Sequence, residues 1–200
     1  PAPADPAGLL RAGRLAPHGV AVLNAVISGN RLLRPGMGES ALARLDRDVL
    51  RHPGVRAVIV MLGTNDIGWP GGAFAPRETL PDASEITNGL RQLVEQAHLR
   101  GVRVIGATLP PFEGALRGTP LEGHYSPAKE SLRQAVNAWI RHAGAFDAVA
   151  DFDRLLRDET HPTRLRAAFD SGDHLHPNDA GYRAMAEGLA LHELLGRRTP

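Results

Sequence analysis

The sequence predicts an α/β fold with three layers, in which helices cover both faces of a parallel β-sheet. Three observations support this prediction. Short β-rich runs alternate with longer helical patterns along the 200 residues, which is typical of parallel βαβ units. The strand candidates are apolar without alternation, as expected for strands covered on both faces. Long polar connections follow two of these strands, at the sheet edge where open α/β folds bind ligands.

Four strands are predicted, and the second of them illustrates the reasoning. It reads Ala57-Val58-Ile59-Val60-Met61-Leu62, an unbroken apolar run rich in β-branched side chains. Side chains of this kind pack well on a pleated surface that is buried on both sides. The four predicted strands are Val20 to Asn24, Ala57 to Leu62, Val102 to Leu109 and Ala148 to Phe152.

The helices between the strands have readable start and stop signals. For the clearest of them, Ser126 is a cap, Pro127 is a first-turn proline and Gly144 is a C-terminal stop. Asp82 and Glu85 form a capping-box pattern at the start of another helix. Further helices are predicted from Leu9 to Leu15, from Leu42 to Val49 and from Pro177 to about Gly196.

Composition narrows the classes of protein to which this chain can belong. With 42% hydrophobic and 22% charged residues, it is predicted to form one compact domain over residues 1–200, with a loose tail at residues 1–7. The net charge of only +1 argues against nucleic acid as a partner. The absence of cysteine excludes disulfides, thiolate metal ligands and a cysteine nucleophile. No apolar run approaches the roughly 20 residues that a membrane-spanning helix needs.

Three short polar segments follow predicted strands or precede the last predicted helix. They are Ser28-Gly29-Asn30, Gly63-Thr64-Asn65-Asp66 and Asp173-His174-Leu175-His176-Pro177. Taken singly, each has an ordinary structural explanation, because Gly, Asn and Asp are turn residues and Asp before a helix is a common cap. The connections Gly63 to Pro81 and Pro110 to Tyr125 are longer than the fold requires, which indicates a functional role.

Together, the three segments resemble the second, third and fifth sequence blocks of the SGNH hydrolases, also called the GDSL family. The matching stretches are Asn24 to Arg31, Gly63 to Asp66 and the Asp173-x-x-His176-Pro177 motif, in the family's order. The resemblance extends over residues 19–195. Thr108 to Gly114 and Gln134 to Arg141 are similar to the xylan-esterase-like branch of the family.

This resemblance implies a flavodoxin-like parallel sheet and an ester hydrolase. The implied substrate is a small-molecule or carbohydrate ester, with no cofactor and no metal. Similarity to polysaccharide esterases favours secretion, and the oligomeric state is not readable from the sequence. Asp173, His174, His176 and Asp179 could suggest a metal site, but an Asp and His pair before a helix in this family favours a base and its orienting carboxylate.

The family resemblance assigns roles to four residues. Those matching Gly29 and Asn65 donate hydrogen bonds to the oxyanion, which the tetrahedral intermediate of ester hydrolysis requires. His176 is the expected general base, and Asp173 is expected to reach its Nδ1 and stabilise the imidazolium. His174 is the competing candidate for the base, although it does not precede the proline as the motif specifies.

The family's first block, a Gly-Asp-Ser segment with the nucleophile, has no counterpart in the sequence. None of the serines present is identified as a nucleophile: they are Ser28, Ser40, Ser84, Ser126, Ser131 and Ser171. In the flavodoxin-like order 2-1-3-4-5, the first strand lies inside the sheet. We therefore expect a sheet that lacks its first strand, in an N-terminally incomplete hydrolase that is inactive alone. The alternative is a non-catalytic domain of this fold that binds carbohydrates or esters.

Aromatic residues on the two long connections are candidates for the substrate pocket. Trp69 lies on the first connection, and Phe112 and Tyr125 lie on the second. Their rings could stack on a sugar or hold an acyl chain. Equally, they could anchor the loops by packing onto the sheet.

Overall fold

The computed structural model describes residues 19–190, and within them three strands form one parallel sheet. The strands are β1 (Ala57–Val60), β2 (Arg103–Ala107) and β3 (Ala148–Ala150), and they lie in the order β1-β2-β3. The predicted helix from Leu9 to Leu15 and the predicted tail lie outside the described residues. These strands coincide with three of the four predicted ones, which extended further at their carboxyl ends.

Helices connect and cover the strands. Each parallel connection contains at least one of them, as the alternation of patterns predicted. The helices are α1 (Ala41–Leu45), continuing as a π-helical turn (Asp46–Leu50), α2 (Thr64–Gly68), α3 (Ala83–His98), a 3₁₀ turn (Glu122–His124), α4 (Pro127–His142), α5 (Phe152–Leu156) and α6 (Asp179–Gly188).

The predicted starts of the two long helices are confirmed. The Ser126 hydroxyl accepts the Lys129 N–H at 3.3 Å, with Pro127 as the first residue of α4. At the start of α3, the Glu85 carboxylate accepts the Asp82 N–H at 3.0 Å. These contacts satisfy N–H groups that have no partner within a helix.

The last helix begins two residues later than predicted. Asn178, and not the residue before Pro177, caps α6, because its side-chain oxygen accepts the Gly181 N–H at 3.0 Å. Pro177 instead forms a bridge with Asp170. The predicted end near Gly196 lies outside the described residues. The bridge closes a loop over residues 170–177, and this loop contains both candidate histidines.

The strand predicted from Val20 to Asn24 does not form, which corrects the prediction. The segment is irregular in the structure, although Val20 and Val22 pack on a core cluster beside Ala57 and Ile59. An apolar run becomes a strand only when a neighbouring strand accepts its backbone hydrogen bonds. Within residues 19–190 no strand pairs with this segment.

The core lies on both faces of the sheet, as predicted for a three-layer fold. Successive residues of β2 point to opposite faces: Val104 belongs to a cluster with α3 and α4, and Ile105 to a cluster with α5 and α6. In register, Ile59 of β1 pairs with Ile105. The α/β class with a parallel sheet is therefore confirmed, and three strands fit the prediction of a missing first strand.

None of the helices within residues 19–190 has the length and apolar character that crossing a bilayer requires. This agrees with the absence of long apolar runs from the sequence.

Candidate active site

The loop of residues 170–177 brings Asp173 and His176 into direct contact. The Asp173 Oδ2 and His176 Nδ1 atoms lie 2.7 Å apart. The other carboxylate oxygen accepts the backbone N–H groups of Leu175, at 2.9 Å, and His176, at 2.8 Å. Partial burial alone would raise the pKa of Asp173, but these hydrogen bonds lower it to about 2. Asp173 is therefore ionised wherever an imidazole titrates.

A second histidine and carboxylate pair lies in the same loop. His174 Nδ1 is 2.5 Å from Asp170 Oδ2, and the other oxygen of Asp170 accepts the His174 N–H at 3.1 Å. His174 has a φ of 59°, which is unusual for a residue with a side chain. Its ring lies over Gly114, on the second long connection. Both candidates for the base thus have an orienting carboxylate.

The two segments expected to supply oxyanion donors are in contact with each other. Gly29 has a φ of +66° in a tight turn, and its N–H makes no hydrogen bond within residues 19–190. Asn65 lies in α2, and its side-chain Nδ2 donates to the Asn30 carbonyl at 2.9 Å. A primary amide has two N–H groups, and the second N–H of Asn65 makes no hydrogen bond in the described part of the chain. One free N–H therefore remains on each segment.

Asp66 fixes the spacing between these two segments. Its buried carboxylate accepts the backbone N–H of Leu32 at 2.7 Å and that of Leu33 at 3.0 Å. Burial raises the pKa of Asp66, and the two hydrogen bonds partly offset that effect. Asp66 belongs to the Gly63 to Asp66 motif, but its role could not be predicted from that motif. Its neighbours in space, more than 30 positions earlier in the sequence, became known only from the structure.

Trp69 and Phe112 are buried, and Trp69 lines a small cavity between the two long connections. The cavity has room for about one water molecule. Phe112 packs edge-on against Tyr125 and His124, with ring centroids 5.9 Å and 5.7 Å apart. Neither Phe112 nor Tyr125 lines the cavity, which is lined by Gly68, Trp69, Gly72, Ala73, Phe74, Leu121 and His124.

His124 is a buried histidine that lies against the end of α2. The imidazole packs against Gly68 at the end of α2, and its Nε2 atom is buried with no hydrogen-bond partner within residues 19–190. Burial, the Lys129 charge and His176 together lower the pKa of His124 to about 4. No motif in the sequence pointed to this residue.

The chain has six serines, all within the described residues, and none of their hydroxyls donates a hydrogen bond to the imidazole ring of His174 or His176. Ser171 is the nearest in sequence, but its hydroxyl donates to Asp173 Oδ1 at 2.9 Å. Ser40 and Ser126 cap helices. The described residues also contain no group of three or more His, Cys, Asp or Glu side chains that could hold a metal ion.

Comparisons with known proteins identify the family of the chain. Residues 5–184 match the model of the GDSL-like lipase/acylhydrolase family. A similar solved structure is a catalytic mutant of Axe2, an acetylxylan esterase from Geobacillus stearothermophilus. It is 25% identical, with a TM-score of 0.65, over 94% of this chain and 78% of that chain. None of the curated proteins is a significant match.

Two further solved structures share the fold. One is LAE5, an alpha/beta hydrolase enzyme from the metagenome of Lake Arreo, which is 22% identical over 96% of this chain and 81% of that chain, with a TM-score of 0.61. The other is a GDSL-like lipase from Bacteroides thetaiotaomicron, which is 16% identical over 94% of this chain and 100% of that chain, with a TM-score of 0.58. The family model covers most of the sequence, and the chain therefore belongs to the GDSL-like lipase/acylhydrolase family.

Proposed function

We propose that this chain carries the base and the oxyanion donors of a serine ester hydrolase, and that the serine comes from a segment outside these 200 residues. His176 is the general base, Asp173 orients it, and Gly29 and Asn65 stabilise the oxyanion. The observation that carries the proposal is the 2.7 Å contact between Asp173 Oδ2 and His176 Nδ1, in a chain that belongs to an acylhydrolase family.

The chemistry follows from the groups that are available. The serine oxygen attacks the ester carbonyl while His176 Nε2 accepts the hydroxyl proton, and the Asp173 carboxylate stabilises the resulting imidazolium. The carbonyl electrons move onto oxygen, where the Gly29 N–H and the Asn65 amide donate to the negative charge. When the intermediate collapses, the alkoxy group leaves with the proton from His176. A water molecule then hydrolyses the acyl-enzyme by the same steps.

The outer edge of β1 is the place where a strand carrying the serine would pair. Within the described residues, β1 pairs only with β2. A parallel strand on the other edge would end beside α2 and the loop of Gly29, because carboxyl ends of parallel strands lie on one edge of a sheet. Such a strand would be the first strand of the flavodoxin-like order, which supports a source outside the 200 residues.

Acetylated carbohydrates are the substrate class that we propose. The support is the similarity to the acetylxylan esterase Axe2, at 25% identity. Small-molecule carboxylesters share the same reactive group and are suitable first substrates for an assay.

Hydrolysis of p-nitrophenyl acetate tests the proposal. The 200-residue chain is expected to show no turnover above that of a His176→Ala variant, because none of its serine hydroxyls donates to the His176 ring. A longer reading frame with an upstream Gly-Asp-Ser segment is expected to hydrolyse the ester and to lose this activity on His176→Ala substitution. Activity of the 200-residue chain equal to that of the longer protein, and dependent on His176, would refute the assignment of the serine.

A second candidate function is binding without turnover, and one observation favours it. Ser171, the serine nearest to the base in sequence, bonds to Asp173 and leaves the His176 ring without a nucleophile. A domain of this kind would bind acetylated oligosaccharides but would not hydrolyse them, even in the full reading frame. Calorimetric binding with no release of acetate from the full protein would support this alternative over the hydrolase.

A further inference from the structure

The loop that carries Gly29 is held by a buried arginine that no sequence motif includes. Arg44 lies at the end of the first turn of α1 and is 7% exposed. Its Nε and Nη2 atoms donate to the Asn30 side-chain oxygen at 3.1 Å and 2.7 Å, and its Nη1 donates to the Ala25 carbonyl at 2.6 Å. The Arg44 guanidinium therefore binds the loop on both sides of Gly29, at Ala25 and at Asn30.

Asn30 also binds Asn65, the second oxyanion donor. Its backbone carbonyl accepts the Asn65 Nδ2 at 2.9 Å, while its own side-chain amide donates to the Glu39 carbonyl at 2.8 Å. Because the Asn30 carbonyl takes one N–H of the Asn65 amide, it sets the direction of the other. The position of Asn30, which Arg44 fixes, thus determines the orientation of both the Gly29 turn and the Asn65 amide.

Asp66 binds the other end of the same loop, after Asn30. It is 1% exposed, and it holds the N–H groups of Leu32 and Leu33, which follow the Gly29 turn. Asp66 is also the residue after Asn65 in α2. The two donors therefore belong to one hydrogen-bonded unit, with Arg44 at one end and Asp66 at the other.

We infer that Arg44 and Asp66 are positioning residues for the oxyanion donors, acting through Asn30 and through the backbone of Leu32 and Leu33. Donors aimed in advance at the developing charge do not have to reorganise during the reaction. The role of the donors in catalysis rests on the proposed function. The hydrogen bonds that hold the donors in place do not depend on it. We predict that a substitution of Arg44 or Asp66 perturbs mainly the Gly29 N–H and the Asn65 side-chain amide.

The first test measures these two groups in the 200-residue chain. In ¹H–¹⁵N NMR spectra, Arg44→Met should shift or broaden the Gly29 amide and the Asn65 side-chain amide and should accelerate their hydrogen exchange. Asp66→Asn is isosteric and keeps one acceptor oxygen, so it should fold even if Arg44→Met does not, and should perturb the same signals. The matched control is Arg133→Met, because Arg133 is another buried arginine but contacts Glu130, Asp153 and Leu109 instead.

Signals of Gly29 and Asn65 that stay unchanged in both folded variants would overturn the inference. So would equal perturbation by Arg133→Met, since that would indicate a general loss of stability.

The second test measures catalysis in the longer protein that carries the serine. Removal of one oxyanion donor typically lowers kcat by about 100-fold or more, so Arg44→Met is expected to lower kcat by about 10- to 100-fold with little change in KM. This split follows because the donors act on charge that exists only in the transition state. A raised KM with unchanged kcat would overturn the positioning role. If the longer protein has no esterase activity at all, the proposed function fails, while the NMR experiment still decides how the loop is held.

Discussion

His124 shows how burial changes the chemistry of one residue. Its ring is 6% exposed and packs against Gly68 and Phe112. Burial penalises the charged imidazolium, and the nearby Lys129 charge adds to this effect, so the pKa of His124 falls from 6.5 to about 4. At neutral pH this histidine is therefore uncharged in the folded chain.

This lowered pKa predicts a pH-dependent loss of stability. The unfolded chain binds a proton at His124 near pH 6.5 but the folded chain only near pH 4, so the free energy of unfolding falls as the pH drops through this window. Between pH 8 and pH 5 the expected loss is about 2 kcal/mol. Urea unfolding at a series of pH values measures it, because the midpoint and slope give the free energy directly.

His124→Gln is the control for this measurement, since glutamine does not titrate. The difference in unfolding free energy between the two proteins should vary with pH between about 7 and 4 and should be flat above pH 7. A difference that stays constant from pH 8 to pH 5 would show that His124 is not buried as described.

At the scale of elements, α2 and the 3₁₀ turn approach each other closely, and a glycine permits this. A Cβ atom added at Gly68 would lie 2.2 Å from His124 Nε2, far inside van der Waals contact. Lys129 from α4 joins the same two elements, because its Nζ donates to the Gly68 and Gly123 carbonyls at 2.7 Å each. The two long connections are thus held together where His124 and Lys129 contact Gly68.

Gly68→Ala should therefore destabilise the protein although alanine is normally the better helix former. Replacing glycine by alanine inside a helix usually stabilises by about 0.5–1 kcal/mol, but overpacking costs about 1–3 kcal/mol. We expect a net loss of about 1–2 kcal/mol in the free energy of unfolding, measured with urea.

Gly123→Ala is the matched control, since the nearest atom to its added Cβ would be 3.7 Å away. If Gly68→Ala is no less stable than Gly123→Ala, the close approach of the two elements is wrong.

The whole molecule has an incomplete sheet edge beside its candidate site. Within residues 19–190, β1 pairs on one side only, and Met61, directly after it, is 41% exposed. Leu23 and Val26, near the predicted strand that does not form, are 67% and 80% exposed. Apolar groups and unpaired backbone in this combination indicate a place where another strand can add.

Hydrogen exchange of β1 tests this arrangement of the whole sheet. In the 200-residue chain, the β1 N–H groups that point away from β2 should exchange fast, because no strand pairs with them within residues 19–190. In the longer protein that carries the serine, the same groups should become protected by pairing with the added strand. Equal exchange in both proteins would place the added strand elsewhere and would contradict the proposed strand order.

Local signals in the sequence were enough to predict most elements of the fold. The capping residues Ser126 and Asp82 and the apolar run of β1 depend on neighbours within a few positions, so their patterns can be read directly. The Asp173 and His176 contact is similarly local, since the partners are three positions apart in one loop. The strand predicted from Val20 to Asn24 does not form. Local signals could not show this, because a strand also requires a neighbouring strand, which is not close in the sequence.

What the sequence determined by itself was the α/β class, the starts of the two long helices and the family to which the chain belongs. Only the tertiary structure decided how the parts of the site are held. Arg44 and Asn30 are 14 positions apart, and Asp66 lies 34 positions after Leu32. Contacts between such distant residues leave no periodic or capping signal, because they form only when packing of α1 and α2 against the sheet brings the two segments together.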